Sequence, residues 1–296
     1  MGRETNKQRR DKQAATAREK AAAARAVQAR VDQRRRAKQI LSSVVAAAVV
    51  IAVITVVAIN HKSVANDKSG NPIPASASVV HDVTTISPAT YQAVGAGSAV
   101  NQIQKITQPA LTDGGKPELF FIGGEFCPIC AAERWSMTAA LSRFGTFKNL
   151  EMLHSANDDG NLATLGYHGS SYSSPYLSFV SVENVDRNRQ PLENLTSAQT
   201  TLYKNAAGTS QLAYPFLDFA GKYMLRSEGF DGASVLNTLT QQQIASQLNT
   251  PTSSVAKAIV GEANNLTAAI CEMTGGQPGS VCTAPEVVAA QTKLNA

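Results

Sequence analysis

The chain has 296 residues and a formal net charge of +5, enough length for one or two domains of roughly 100–200 residues each. The charge is an uneven average: residues 1–39 carry thirteen Lys and Arg against four acidic residues, a balance of +9, so the rest of the chain sums to −4. A uniformly basic body is therefore excluded. The tail has no aromatic residues or recognisable fold to go with its charge, so nucleic acid is not expected as a partner.

Residues 40–59 form twenty consecutive uncharged positions of Ile, Leu, Val, Ala, Ser and Thr. A helix of that length spans about 30 Å, the thickness of a bilayer core. The run exceeds the usual apolar core of a cleaved signal, and a 39-residue flank precedes it. It reads as a single transmembrane signal anchor. The positive-inside rule leaves the basic tail in the cytoplasm and the remainder outside the cell membrane. Residues 60–78, rich in Ser, Pro and Asn, read as a linker, and 79–296 as an extracytoplasmic domain. All four cysteines, Cys127, Cys130, Cys271 and Cys282, fall on that outer side, where disulfides persist.

Within the domain, a lead-in over 79–108 and the turn Asp113-Gly114-Gly115 precede a strand at 118–122. That strand is apolar almost throughout, which predicts a central position in a sheet covered on both faces. A helix is expected over 128–144 with Gly145 as its stop, then a second strand over 150–154. Strand, helix and strand with such short joins predict a βαβ unit whose two strands pair in parallel. Residues 155–175 are rich in Gly, Ser and Asn; 176–182 reads as a strand and 195–205 as a helix. Two aromatic runs about Gly221 predict an antiparallel hairpin, and helices are expected over 234–248 and 252–274.

The chemistry centres on Cys127-Pro128-Ile129-Cys130, at the junction of the predicted strand and helix. At a helix start, unpaired backbone N–H groups and the helix dipole favour a thiolate, the attacking species of thiol–disulfide exchange. Cys127 is the candidate exposed nucleophile and Cys130, one turn inward, the candidate resolving thiol. Pro128 suits the first helical turn, where its missing N–H is no loss. The motif carries no cation, so the helix start must supply the stabilisation, and Glu125 would oppose it. Two bland readings stand beside this one: an inert structural disulfide, or a zinc site completed by Cys271 and Cys282. The second pair has ten intervening residues, far from usual metal-ligand spacing, and the histidines form no metal pattern, so no metal is expected.

Pro215 precedes the first strand of the hairpin. An ordinary trans turn proline is one reading; with an upstream CxxC, a cis bond that offers the backbone of Tyr214 to a bound peptide is the expected one. Tyr214, Pro128 and Ile129 are the candidate substrate-binding residues. Cys271 and Cys282 flank a Gly/Pro loop and are expected to form a structural disulfide, with a second relay pair as the alternative. Trp135 reads as core packing or as a wall of the site.

Taken together these features resemble the thioredoxin superfamily: an α/β fold with a central mixed sheet flanked by helices, here behind an N-terminal transmembrane helix. The runs Val94-Gly95-Ala96-Gly97-Ser98, Phe121-Ile122-Gly123-Gly124-Glu125-Phe126 through the motif to Trp135, Tyr176-Leu177-Ser178-Phe179-Val180 and Gly221-Lys222-Tyr223 resemble the DUF929 family of membrane-anchored thioredoxin-like proteins. The resemblance implies that Cys127 attacks, Cys130 resolves and Pro215 helps to seat substrate. One departure is plain: thioredoxin's buried acid beneath the resolving cysteine would fall at Phe121, which transfers no proton. The function expected is an oxidoreductase acting on thiols and disulfides of exported proteins without a soluble cofactor. A further membrane or secreted redox partner, of unknown identity, would recycle it. The alternative is a non-enzymatic binding module with structural disulfides.

Overall fold

The structure is a computed structural model describing residues 70–294. The basic tail 1–39 and the apolar span 40–59 lie outside these residues. Among the described residues no helix is long and apolar enough to cross a membrane.

In chain order, β1 (Ile73–Pro74) leads into α1 (Ala77–Thr84) and α2 (Pro88–Val94). Ser76 and Ser87 cap these helices by accepting the N–H groups of Val79 and Thr90, two of the donors every helix start leaves open. Next come β2 (Gln104–Lys105), β3 (Thr112–Asp113), β4 (Lys116–Gly124) and α3 (Pro128–Leu141). Four short strands follow, β5 (Thr146–Lys148), β6 (Glu151–His154), β7 (Ala163–Gly166) and β8 (Ser171–Ser173), and then the longer β9 (Ser178–Val185). After α4 (Ser197–Ala207) come β10 (Phe216–Phe219) and β11 (Tyr223–Leu225). The remaining elements are α5 (Gly232–Leu236), α6 (Gln241–Ala245), α7 (Ser254–Met273), α8 (Gly279–Cys282) and α9 (Pro285–Leu294).

The organising strand is β4. It pairs in parallel with β9, Phe120 opposite Val180, and antiparallel with β10, Phe120 opposite Asp218. From β10 the chain turns at Gly221, whose φ of +77° is a conformation glycine adopts without penalty, into β11, with β2 on its outer edge. Successive side chains of a strand alternate between faces. Leu119 and Phe121 accordingly join the cluster that holds Trp135 on α3 and Leu266 on α7, while Phe120 and Ile122 pack with Val182, Tyr203 and Phe216 on the other face. The central sheet is mixed and covered by helices on both sides, as the apolar run at 118–122 predicts.

The βαβ unit differs from the expectation. The strand at 150–154 does not pair with β4; as β6 it lies antiparallel to β7 and β1 in a separate three-stranded sheet. The parallel partner of β4 is β9, and the intervening residues fold as that small sheet together with the β5–β8 ladder. The linker expected over 60–78 also ends earlier. Ile73 is in register with Met152, the N–H of His154 reaches the carbonyl of Gly70, and α1 begins at Ala77. The helix expected over 234–248 is two helices. Thr238 takes φ +65°, a strained value for a β-branched residue that stops α5, and a Thr240–Gln243 capping box starts α6.

Candidate active site

The site forms where β4 gives way to α3. Register with β9 shifts between Gly123 and Gly124, and the Gly124 carbonyl accepts the N–H of Cys127 at 3.2 Å, closing the turn that starts the helix. A Cβ at Gly124 would meet the Phe126 ring at 2.8 Å, so glycine is needed for that close approach. Cys127 is the N-cap of α3, and its sulfur accepts the N–H of Cys130 at 3.4 Å. The position favours Ser, Thr, Asp or Asn because their side-chain oxygen takes this orphan N–H; here a thiol takes it. Pro128 occupies the first turn, as its residue type predicts.

This placement separates the two thiols in acidity. Cys127 is lowered from 9.0 to about 7, chiefly because the Cys130 thiol donates to its sulfur, with burial opposing and the N–H groups of the helix start assisting. Cys130, fully buried, is pushed well above its ordinary value by desolvation and by the neighbouring Cys127. One sulfur is thus prepared to carry charge and the other to keep its proton. Cys127 is not the exposed nucleophile expected from sequence: only 7% of it is accessible, because the Tyr214–Pro215 segment and the first turn of α3 close around it. Ile129 is the exposed member of the motif at 36%.

Tyr214 and Pro215 lie beside the dithiol. The Tyr214–Pro215 bond is cis, and the Cys127 thiol donates to the Tyr214 carbonyl at 3.7 Å. The Tyr214 hydroxyl donates to Asn184 on β9, and its ring meets Phe126 edge-on at 5.9 Å. The Arg189 guanidinium, paired with Asp158 at 2.8 Å, lies 5.3 Å from the Phe126 centroid. An aromatic and aliphatic rim of Phe126, Tyr214, Pro128 and Ile129 therefore surrounds a nearly buried sulfur. Phe126, Asn184 and Arg189 were not among the sequence candidates. Phe126, adjacent to the motif, carried a signal; the other two come from β9 and the loop after it.

The two residues after Ala132 on α3 are both charged and both fully buried. Arg134 forks onto Glu183 of β9, at 2.8 and 2.7 Å, and bolts the helix to the sheet. Glu133 faces Glu228, after β11, and Glu262, on α7. Both oxygens of Glu133 and one each of Glu228 and Glu262 are buried without a hydrogen-bond partner. Burial, followed by mutual repulsion for Glu133, raises all three, Glu228 to about 7 and Glu262 to about 8. Burial thus favours the protonated form of each carboxyl, most plainly for Glu262 at neutral pH. Glu125 accepts the N–H of Arg187 at 3.3 Å and is itself raised to about 7, chiefly by burial. Trp135 belongs to the core; its Nε1 donates to the Ala163 carbonyl at 3.0 Å.

Cys271 and Cys282 are disulfide-bonded, with Cα atoms 5.5 Å apart, and tie the last turn of α7 to the end of α8. Among the described residues no group of three or more His, Cys, Asp or Glu is placed to hold a metal ion.

The described residues thus form a mixed α/β fold with a helix-capping dithiol beside the Tyr214–Pro215 segment. The chain belongs to the family described as domain of unknown function (DUF929), whose model matches residues 102–272, more than half of its length. The match runs from before β2 into the last turn of α7, so it takes in the dithiol, Pro215 and Cys271 but stops short of Cys282. No curated protein and no solved structure matches the chain.

Proposed function

We propose that this protein is a membrane-anchored, extracytoplasmic thiol–disulfide oxidoreductase acting on exported proteins through Cys127 and Cys130. The observation that carries the reading is the asymmetric dithiol: a helix-capping Cys127 lowered to about 7 over a buried, proton-retaining Cys130. The strand order β9-β4-β10-β11, with one parallel and two antiparallel pairings and with α3, α4 and α7 on its faces, supports a thioredoxin-like fold. The apolar span 40–59 with its basic flank supports anchoring with the domain outside.

In the reductive direction the Cys127 thiolate attacks one sulfur of a client disulfide, and the other client sulfur leaves as a thiolate. Cys130 then loses its proton and attacks the Cys127 sulfur. The bond between Cys127 and the client breaks, Cys127–Cys130 closes, and two electrons have passed from protein to client. The oxidative direction is the same path reversed. The Tyr214 carbonyl and the exposed Ile129 would meet the client backbone and side chains, and a second membrane or secreted thiol protein would reset the site. No soluble cofactor enters these steps.

The test is disulfide exchange by the full chain with Cys127→Ser. Loss of activity to background supports the assignment, and full activity in that variant overturns it. The competing reading, a binding module, draws on the 7% exposure of Cys127. As a module with structural disulfides it requires a Cys127–Cys130 bridge that resists reduction and does not exchange with external thiols, whereas both thiols are free here.

A further inference from the structure

Arg134 stands four residues after Cys130 on α3, so the two side chains share one face of the helix. Its guanidinium is fully buried, engaged by Glu183 through Nε and Nη2, and donates from Nη2 to the Gly124 carbonyl at 3.0 Å. That carbonyl also accepts the N–H of Cys127, and the backbone of Gly124 hydrogen-bonds the Cys130 thiol. One residue thus links the cation to both cysteines, through the two peptide groups that flank it. The remaining nitrogen, Nη1, is buried with no hydrogen-bond partner. A buried ion pair adds little net stability, since desolvation offsets the attraction, and an apolar pair would bolt helix to strand as well. An unpaired N–H in such a place calls for another role.

We propose that Arg134 is the positioning residue of the dithiol, its buried charge holding the sulfur anion of Cys127 and Cys130 while Glu183 fixes its orientation. This rests on the redox reading of the site. Before attack the negative charge is on Cys127. At the resolving step the Cys130 sulfur attacks Cys127 and its proton passes to the departing client sulfur. The new S–S bond forms as the client sulfur departs with the bonding pair. Anionic character is thus on Cys127 in the first step and on Cys130 in the second, each time beneath a cation that need not move, the arrangement by which fixed dipoles and charges lower barriers without reorganising. The electrostatics agree in direction, since Arg134 favours the ionised form of both thiols. The other ionisable groups facing this pair are Glu125 in the turn after β4, Glu183 on β9, Glu228 after β11 and the Tyr214 phenol; none of these is a cation.

The test compares Glu183→Gln and the double variant Arg134→Met/Glu183→Met in the full chain. The rate of Cys127 alkylation by iodoacetamide is followed against pH, and reaction with glutathione disulfide is followed by acid quench and mass spectrometry. Glu183→Gln removes the countercharge and should shift the alkylation midpoint to lower pH. The double variant should shift it upward by about one unit, slow alkylation at pH 6 about tenfold, and accumulate the Cys127–glutathione mixed disulfide. A merely structural bolt would move both midpoints the same way or neither, and either result overturns the proposal. Should the double variant fail to fold, Glu183→Gln alone decides, and an unchanged or raised midpoint counts against Arg134. A wild-type chain that forms no Cys127–Cys130 disulfide removes the redox reading and this role with it. Normal wild-type exchange with unmoved variants removes only the role of Arg134.

Discussion

The molecule carries two cysteine pairs at opposite ends of helices, and the contrast explains why they differ chemically. Cys127 and Cys130 occupy the N-cap and first turn of α3, where free N–H groups point at sulfur and the dipole favours a negative charge. Cys271 and Cys282 occupy the last turns of α7 and α8, where carbonyls and the negative end of the dipole disfavour a thiolate. The first pair holds free thiols of split acidity, and the second is a closed disulfide within the core. Helix polarity favours a thiolate at the first pair and disfavours one at the second.

The largest expected effect comes from exchanging the consequences of losing each pair. Cys271→Ala/Cys282→Ala should leave exchange by Cys127 in place while lowering the melting temperature by roughly 5–15 °C, the equivalent of about 2–4 kcal/mol. Cys127→Ala/Cys130→Ala should do the reverse, abolishing exchange with a much smaller change in melting temperature. Thermal unfolding and exchange assays on both double variants would break the contrast if the two losses tracked each other.

Reactivity is the next measure. With Cys271–Cys282 intact, iodoacetamide should modify Cys127 with a midpoint near pH 7, against 9.0 for an ordinary thiol. Cys130 should stay unmodified through that range, because burial holds its proton on. Peptide mapping after brief alkylation across pH 5–9 reads both, and equal labelling of the two cysteines would contradict the split.

The smallest effect concerns the carboxyls behind the first pair. Glu133, Glu228 and Glu262 are raised above the ordinary 4.5, so the folded state binds more protons than the unfolded chain. For Glu228 and Glu262 the contribution is fully present below about pH 4.5 and is lost as pH rises through about 7 and about 8 respectively. Glu262→Gln should therefore flatten the decline in stability between pH 5 and 8, by about 2–4 °C in melting temperature for each ~1 kcal/mol removed. Melting curves at both pH values check this, and an unchanged slope would show that Glu262 does not hold a proton.

Local signals in the sequence located much of this. The apolar run at 118–122, the glycines that end it, the dithiol at the helix start, the Gly221 hairpin and the Gly/Pro loop between Cys271 and Cys282 each announce themselves within a few residues. Pairing over distance was not legible. The run Leu150-Glu151-Met152-Leu153-His154 looked like the parallel partner of β4 because it follows α3 at once, but a short apolar strand carries no mark of which edge it will join. The Arg134–Glu183 pair spans 49 residues and the carboxyl cluster gathers side chains from two helices and the loop after β11, so neither has a local pattern. The burial of Cys127 has no local signal either, because the segment that covers it, Tyr214–Pro215, arrives 87 residues later.

The most direct test equilibrates the full chain in glutathione buffers of graded potential and follows both cysteine pairs by mass spectrometry. Cys127–Cys130 should titrate reversibly between dithiol and disulfide within about −120 to −270 mV. Cys271–Cys282 should stay closed across that range, as bridges with potentials below about −300 mV do. A Cys127–Cys130 pair that never exchanges, or one that opens and closes together with Cys271–Cys282, would contradict the redox assignment.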